Sequence, residues 1–204
     1  MILRGPIDLN QKGKSQDFMS FTDLLKYTSR SIFKSFNNEQ GGFYEVFRQV
    51  FIKIDIEERK SLEIDGESLI GKYETECEYF DFGYSETPYE PKLKGFYNRF
   101  MSFSSIKSFR WFDEYRVMDF PDRNLRRIAK KKNKIARDNA RKQFNETVSN
   151  LATFLRRRDP RYKAYVTEIQ EQSLVQKEMQ NLKIKTQRES RLAEAKEYQI
   201  PERA

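Results

Sequence analysis

Residues 122–163 read DRNLRRIAKKKNKIARDNARKQFNETVSNLATFLRRRDPRYK, and the reading of this stretch governs the rest. It holds 15 of the 39 Lys and Arg residues against four acids (Asp122, Asp138, Glu146, Asp159), so its net charge of +11 exceeds the +8 of the whole chain. Leu125, Ile128, Ile135, Phe144, Val148, Leu151 and Leu155 recur at helical spacings, which predicts one face of a long α-helix. Asp122, directly after Pro121, is positioned as its N-cap, and neither Gly nor Pro interrupts before Pro160. The first half carries too little apolar surface for a core helix. Its cations, Arg123, Arg126, Arg127, Lys130, Lys131, Lys134, Arg137, Arg141 and Lys142, form one broad basic face, and Arg156, Arg157, Arg158 and Arg161 form a second cluster.

A rod of this kind suits a phosphate backbone, because each neutralised phosphate releases condensed counterions. Contact with about 4 to 6 phosphates gives a log–log salt slope of roughly −3 to −5. The plain alternative is a solvated charged helix. Against it, the run is one-signed rather than alternating, and like charges at i,i+4 cost helix stability. The thirteen cations named above are therefore the candidate nucleic-acid contacts.

Outward from this stretch, charge divides the chain. Residues 1–120 carry 17 basic and 20 acidic residues, net −3, whereas residues 121–204 carry 22 and 11, net +11. That asymmetry calls for an anionic partner on the second part. The 17 Phe, 11 Tyr and one Trp demand a core, and nearly all of them lie before residue 121. The expected fold is all-α: an extended lead-in over 1–16, an aromatic helical domain over 17–120, the basic helix over 121–163 and a charged helical tail over 164–204.

Within the aromatic domain, the spacing of Phe18, Phe21, Leu24, Leu25, Ile32, Phe33 and Phe36 predicts a helix from Phe18 to Phe36, stopped by Asn37–Gly42 with a left-handed glycine cap. Phe43, Val46, Phe47, Val50, Phe51 and Ile54 predict a second helix to about Glu58, antiparallel to the first. Residues 57–91 are acidic and read as a solvated connector. Phe96, Phe100 and Phe103 suit a third helical face, with serines 102, 104, 105 and 108 bending the chain after it. Phe43, Phe47, Phe96, Phe103, Phe109, Trp111 and Tyr115 are the expected core, with Trp111 and its neighbours packing the third helix onto the first two; stacking of single-stranded bases on the cluster around Trp111 is the competing role. In the tail, Asp159 and Pro160 are placed either to cap and start a new helix or to kink the long one. Its apolar residues are too sparse for an unbroken heptad seam, so a solvated single helix is expected.

The chain has no His and one Cys, Cys77, which excludes an internal disulfide, a Cys/His zinc finger and any His-based triad. Cys77 reads as a small half-buried residue. No constellation supports catalysis, metal binding or a cofactor, and no apolar run is long enough for a membrane span. Cytoplasmic residence is expected, with the nucleus as a second compartment.

The order of several motifs resembles one family. Gly41-Gly42-Phe43-Tyr44 through Phe51, then Asp81-Phe82-Gly83-Tyr84-Ser85, Phe96-Tyr97 and Ser102-Phe103 follow one another. Lys107, Phe109, Trp111, Glu114-Tyr115, Ala140-Arg141-Lys142 and Phe154-Leu155-Arg156-Arg157-Arg158-Asp159-Pro160-Arg161 complete the series. Together they resemble the zuotin-related J-proteins, Hsp40 co-chaperones of late cytosolic large-ribosomal-subunit maturation. The family's His-Pro-Asp loop and Cys/His zinc fingers have no counterpart here, and Met1–Gly5 resembles the segment just after a J domain, so the resemblance implies a middle fragment, a truncated gene product or a divergent paralogue. The resemblance implies non-catalytic docking on ribosomal RNA of pre-large-subunit particles. A DnaK-class chaperone is then recruited through a J domain this chain lacks, to release a maturation factor. The alternative is a protein-interaction scaffold whose charged helices act as spacer or coiled coil, without RNA contact.

Overall fold

The computed structural model describes residues 18–64 and 81–197. The lead-in 1–16, Cys77 and residues 65–80 of the acidic connector lie outside the described residues. Five α-helices follow in order: α1 (Phe21–Lys26), α2 (Phe43–Ile64), α3 (Lys94–Met101), α4 (Arg123–Arg158) and α5 (Pro160–Glu197), with no strand among the described residues. The all-α expectation holds.

The expected first helix is the largest departure. It stops at Lys26, and a single 3-10 turn covers Arg30–Ile32. Thr28, Ser29 and Ser31 supply the reason: Thr28 Oγ1 donates to the Leu25 carbonyl and Ser29 Oγ accepts from the Ser31 amide, so side chains compete for the backbone groups a helix would use. Beyond it Phe33 is extended, the Lys34 amide donates to the Gly41 carbonyl and the Phe43 amide to the Ser35 carbonyl. Gly41 is left-handed (φ 80°), but it closes this turn and caps no helix. The turn lays Phe33 and Phe36 on Phe43, with ring centroids 5.1 and 4.9 Å away.

α2 runs six residues past Glu58, and Phe43, Phe47, Val50, Phe51 and Ile54 on one side of it are buried. Phe51 meets Phe96 and Phe100 of α3 at 4.9 and 4.5 Å. Phe82 fills the space between them, 5.1 Å from Phe96 and 5.8 Å from Phe43. The chain can turn directly after Phe82 because Gly83 is left-handed (φ 68°) and a Cβ there would lie 2.4 Å from the Thr87 hydroxyl. Each buried phenylalanine contributes roughly 1.5–3 kcal/mol relative to exposure, so this ring cluster is the main source of stability.

α3 ends where serines predict a bend: Ser102 Oγ donates back to the Asn98 carbonyl. Phe103 therefore lies past the helix end, half-buried and stacked 5.9 Å from Phe100. The Trp111 cluster packs differently from expectation. Trp111 is half-buried against Phe18 and Phe109, 5.2 Å from each, and Phe109 reaches Phe144 of α4 at 5.9 Å. These rings fasten residues 103–112 to α4 and do not join α3 to the first two helices.

The chain divides into two compact units, residues 1–161 and 162–204. In the second, α5 is a single helix whose residues 167–195 are all exposed.

Candidate nucleic-acid interface

α4 begins as expected, with the Asp122 carboxylate accepting from the Asn124 amide at 3.1 Å. The face it buries is not the one its large apolar residues mark. Ala129, Asn133, Ala140, Phe144, Val148, Leu151 and Leu155 are buried, whereas Ile128 and Ile135 are about half exposed (53% and 51%) and Leu125 is half-buried. The helix is turned by one residue in its first half. The small side chains at 129 and 140 leave room for close approach. Asn133 holds the segment after the Trp111 cluster: its carbonyl oxygen accepts from the Glu114 and Tyr115 amides at 3.1 and 3.0 Å, and its amide donates to the Tyr115 carbonyl at 2.7 Å. Tyr115 is half-buried. The second half of α4 belongs to the core, so only the first half keeps a broad solvent face.

On that face, Arg123, Arg127, Lys130, Lys134, Arg137 and Arg141 recur at spacings of 4, 3, 4, 3 and 4, which sets them in one ridge along the helix. The ridge spans about 27 Å at 1.5 Å per residue. The cations of α4 are not equivalent. Arg123, Arg126, Arg127, Lys130, Lys131 and Lys134 are exposed, and no carboxylate among the described residues pairs with any of them. Arg126 donates to the Pro121 carbonyl at 2.9 Å. Arg137 is half-buried and 3.3 Å from Asp113, and Arg141 is half-buried between Asp138 (3.6 Å) and the Lys107 carbonyl (3.3 Å). Lys142 is exposed beside Glu146 at 3.9 Å. The helix dipole works against cations in the first turn, so Arg123, Arg126 and Arg127 cost stability where they stand.

The second cluster separates further. Arg157 is exposed, Arg156 and Arg158 are half-buried, and the Arg158 guanidinium lies 3.6 Å over the Phe154 ring. Arg161 is corrected out of the candidate set: it is 9% exposed and fully engaged within the fold. Its guanidinium donates to Asp159 at 2.8 to 3.2 Å and to the carbonyls of Phe82 (3.0 Å) and Tyr84 (2.7 Å), and it lies over the Tyr44 and Phe82 rings. Asp159 also accepts from the Tyr97 hydroxyl and caps α5 through the Arg161 amide. Burial and then the Asp159 charge push the Tyr97 hydroxyl far above the usual tyrosine range.

A second polar node is buried where a solvated connector was expected. Lys107 is 1% exposed, its ammonium 2.8 Å from Glu57 and 3.6 Å from Glu58. The other Glu57 oxygen accepts from the Met19 amide (2.8 Å); Glu58 accepts from Ser105 Oγ (2.7 Å) and the Ile106 amide (2.8 Å). The ammonium also faces the Phe144 ring at 4.4 Å. Burial raises the Glu58 carboxyl above its ordinary range, with Lys107 opposing, and burial likewise raises Asp55 against the opposing Arg99. Sequence patterning missed Lys107 and Asn133 because both look like surface residues until their partners arrive from distant segments.

Among the described residues no three His, Cys, Asp or Glu side chains gather as a metal site, and no helix is long and apolar enough to cross a membrane.

Comparison with known proteins gives a consistent result. The family description "Zuotin-like, zuotin homology domain" matches residues 42–163. DnaJ homolog subfamily C member 21 of Homo sapiens is 34% identical over 173 residues, covering 84% of this chain and 30% of that protein. The protein of the same name in Danio rerio is 34% identical over 178 residues, 87% of this chain and 31% of that protein. J protein JJJ1 of Saccharomyces cerevisiae is 30% identical over 164 residues, 69% of this chain and 28% of that protein. The chain thus spans 26–31% of the length of the curated relatives it matches. No solved structure matches it.

Proposed function

The chain belongs to the zuotin-like family, and from that membership we propose that it is a non-catalytic docking module of a J-protein co-chaperone in the cytosol. α4 lies with its exposed cationic ridge along ribosomal RNA phosphates of a pre-large-subunit particle. The core of residues 18–161 fixes that ridge in space. A J domain elsewhere in the protein then acts where the ridge has placed it, recruiting a DnaK-class chaperone that releases a maturation factor.

One observation carries this reading. Arg123, Arg126, Arg127, Lys130, Lys131 and Lys134 are exposed and unpaired by any described carboxylate, and those in the first turn oppose the helix dipole. A sequence shaped for stability alone would place acids there; an anionic partner accounts for the inversion. The Trp111 cluster supports a structural role, since its rings are taken up by Phe18, Phe109 and Phe112.

Co-sedimentation of the purified chain with large-subunit particles across a salt series tests it. Binding is expected to fall with a log–log slope of roughly −3 to −5. Reversing Arg126, Arg127, Lys130 and Lys131 to Glu is expected to abolish it without unfolding the aromatic domain, the melting temperature not falling. Association that survives those reversals favours the scaffold alternative.

A further inference from the structure

The ridge leaves one part of α4 unexplained. Ile128 and Ile135 stand exposed in a helix half whose solvent side is otherwise mostly cations and amides. They are two turns apart, about 10.5 Å along the axis and within about 20° around it. Neither lies on the ridge. They mark a parallel stripe beside it, and at its Ile128 end Asn124, Arg127, Ile128 and Lys131 line an open depression of about 450 Å³. Isoleucine gains nothing from phosphate and, being β-branched, is no aid to an exposed helix. The stripe therefore serves a partner other than the one the ridge serves.

We propose that the Ile128–Ile135 stripe docks an acidic amphipathic helix of a partner protein. The charge around the depression fixes the partner's chemistry. Arg127 and Lys131 border it, and the single acid in the first half of α4, Asp138, is held by Arg141 at 3.6 Å. An apolar pair two turns apart matches the i, i+7 anchors of a helix laid alongside, and flanking cations select Glu or Asp beside those anchors. RNA offers no aliphatic anchor for the isoleucines. The inference goes beyond RNA docking and stands without it.

The test uses the full chain and two labelled probes in fluorescence anisotropy. One is a synthetic peptide of about five helical turns with Leu at i, i+3, i+4 and i+7 and Glu on both flanks, alongside the same peptide with Ser for Leu. The other is an RNA duplex of about two turns. The double substitution Ile128→Ser, Ile135→Ser, at exposed positions that leave the core intact, is expected to weaken peptide binding about tenfold by removing buried apolar surface, while changing RNA affinity less than about twofold. Three outcomes overturn the proposal: the Leu peptide binds no better than the Ser peptide; the double variant keeps its peptide affinity; or RNA affinity falls alongside, which assigns the stripe to nucleic acid. If RNA binding is absent from the outset but the peptide result holds, the RNA-docking reading fails and this one stands.

Discussion

At the scale of single residues, the fold is anchored by charges out of water. Lys107 faces two glutamates, so one of the buried carboxylates is left without a cation of its own. Its cost shows in Glu58, whose carboxyl burial raises, as it raises Asp55. For a carboxyl raised on folding, the folded chain holds more protons than the unfolded chain between the ordinary value, about 4.3 for Glu, and the raised one. Stability therefore falls as pH climbs through that window. Glu58→Gln removes the titration while retaining an oxygen that can accept from Ser105 or Ile106. Melting temperature measured from about pH 4.5 to pH 8 is expected to decline less steeply in the variant than in the parent. Parallel curves would show that Glu58 carries no such linkage.

At the scale of elements, the junction after α4 concentrates the most interactions on one side chain. Asp159, fully buried, takes the Arg161 guanidinium, the Tyr97 hydroxyl and the first free amide of α5. Asp159→Ala would strand a buried guanidinium and a buried hydroxyl at once. Removing one partner of a buried pair costs about 3–5 kcal/mol, and in a unit of this size that lowers the melting temperature by about 10 °C. Asp159→Asn keeps an acceptor and is expected to cost less. A drop below about 2 °C for the alanine variant, by circular dichroism or calorimetry, would remove Asp159 from this role. The junction was only partly legible in the sequence: Asp159-Pro160 after a run of arginines signals a new helix or a kink, and the structure starts a new helix at Pro160. α2 and α3 were legible through the period of their phenylalanines. The Phe18–Phe36 helix was misread because periodicity outweighed four consecutive residues, Thr28-Ser29-Arg30-Ser31, three of whose side chains can bond the backbone. α4 was placed correctly but turned wrongly, since Ile128 and Ile135 outscored the alanines and Asn133, and burial chose the residues that let another segment approach. Of the candidate contacts, the exposed cations of its first half could be read from charge alone; the loss of Arg161 depended on Phe82, Tyr84 and Asp159 converging from far apart in sequence.

At the scale of the whole molecule, packing is unevenly distributed between the two units. The first unit holds the aromatic core and the Lys107 and Asp159 nodes, and residues 167–195 of α5 bury no side chain. Leu174, Val175, Met179 and Leu182 on α5 are each more than half exposed. A helix with no packed face is held only by propensity and by i,i+4 contacts such as Gln172 with Glu168 at 3.2 Å, each worth about 0.2–0.5 kcal/mol. Its amides should open with a free energy near zero, whereas those of Phe144–Leu155 require the core to open, several kcal/mol more. Hydrogen exchange is therefore expected to be at least about a thousandfold faster over 167–195 than over 144–155, and independent of protein concentration. Protection over 167–195 that grows with concentration would mean that Val175, Met179 and Leu182 form a seam with a second copy, which is the coiled-coil role the scaffold alternative requires. Protection that appears only when ribosomal particles are added would instead make α5 part of the docked surface, extending it beyond the ridge of α4.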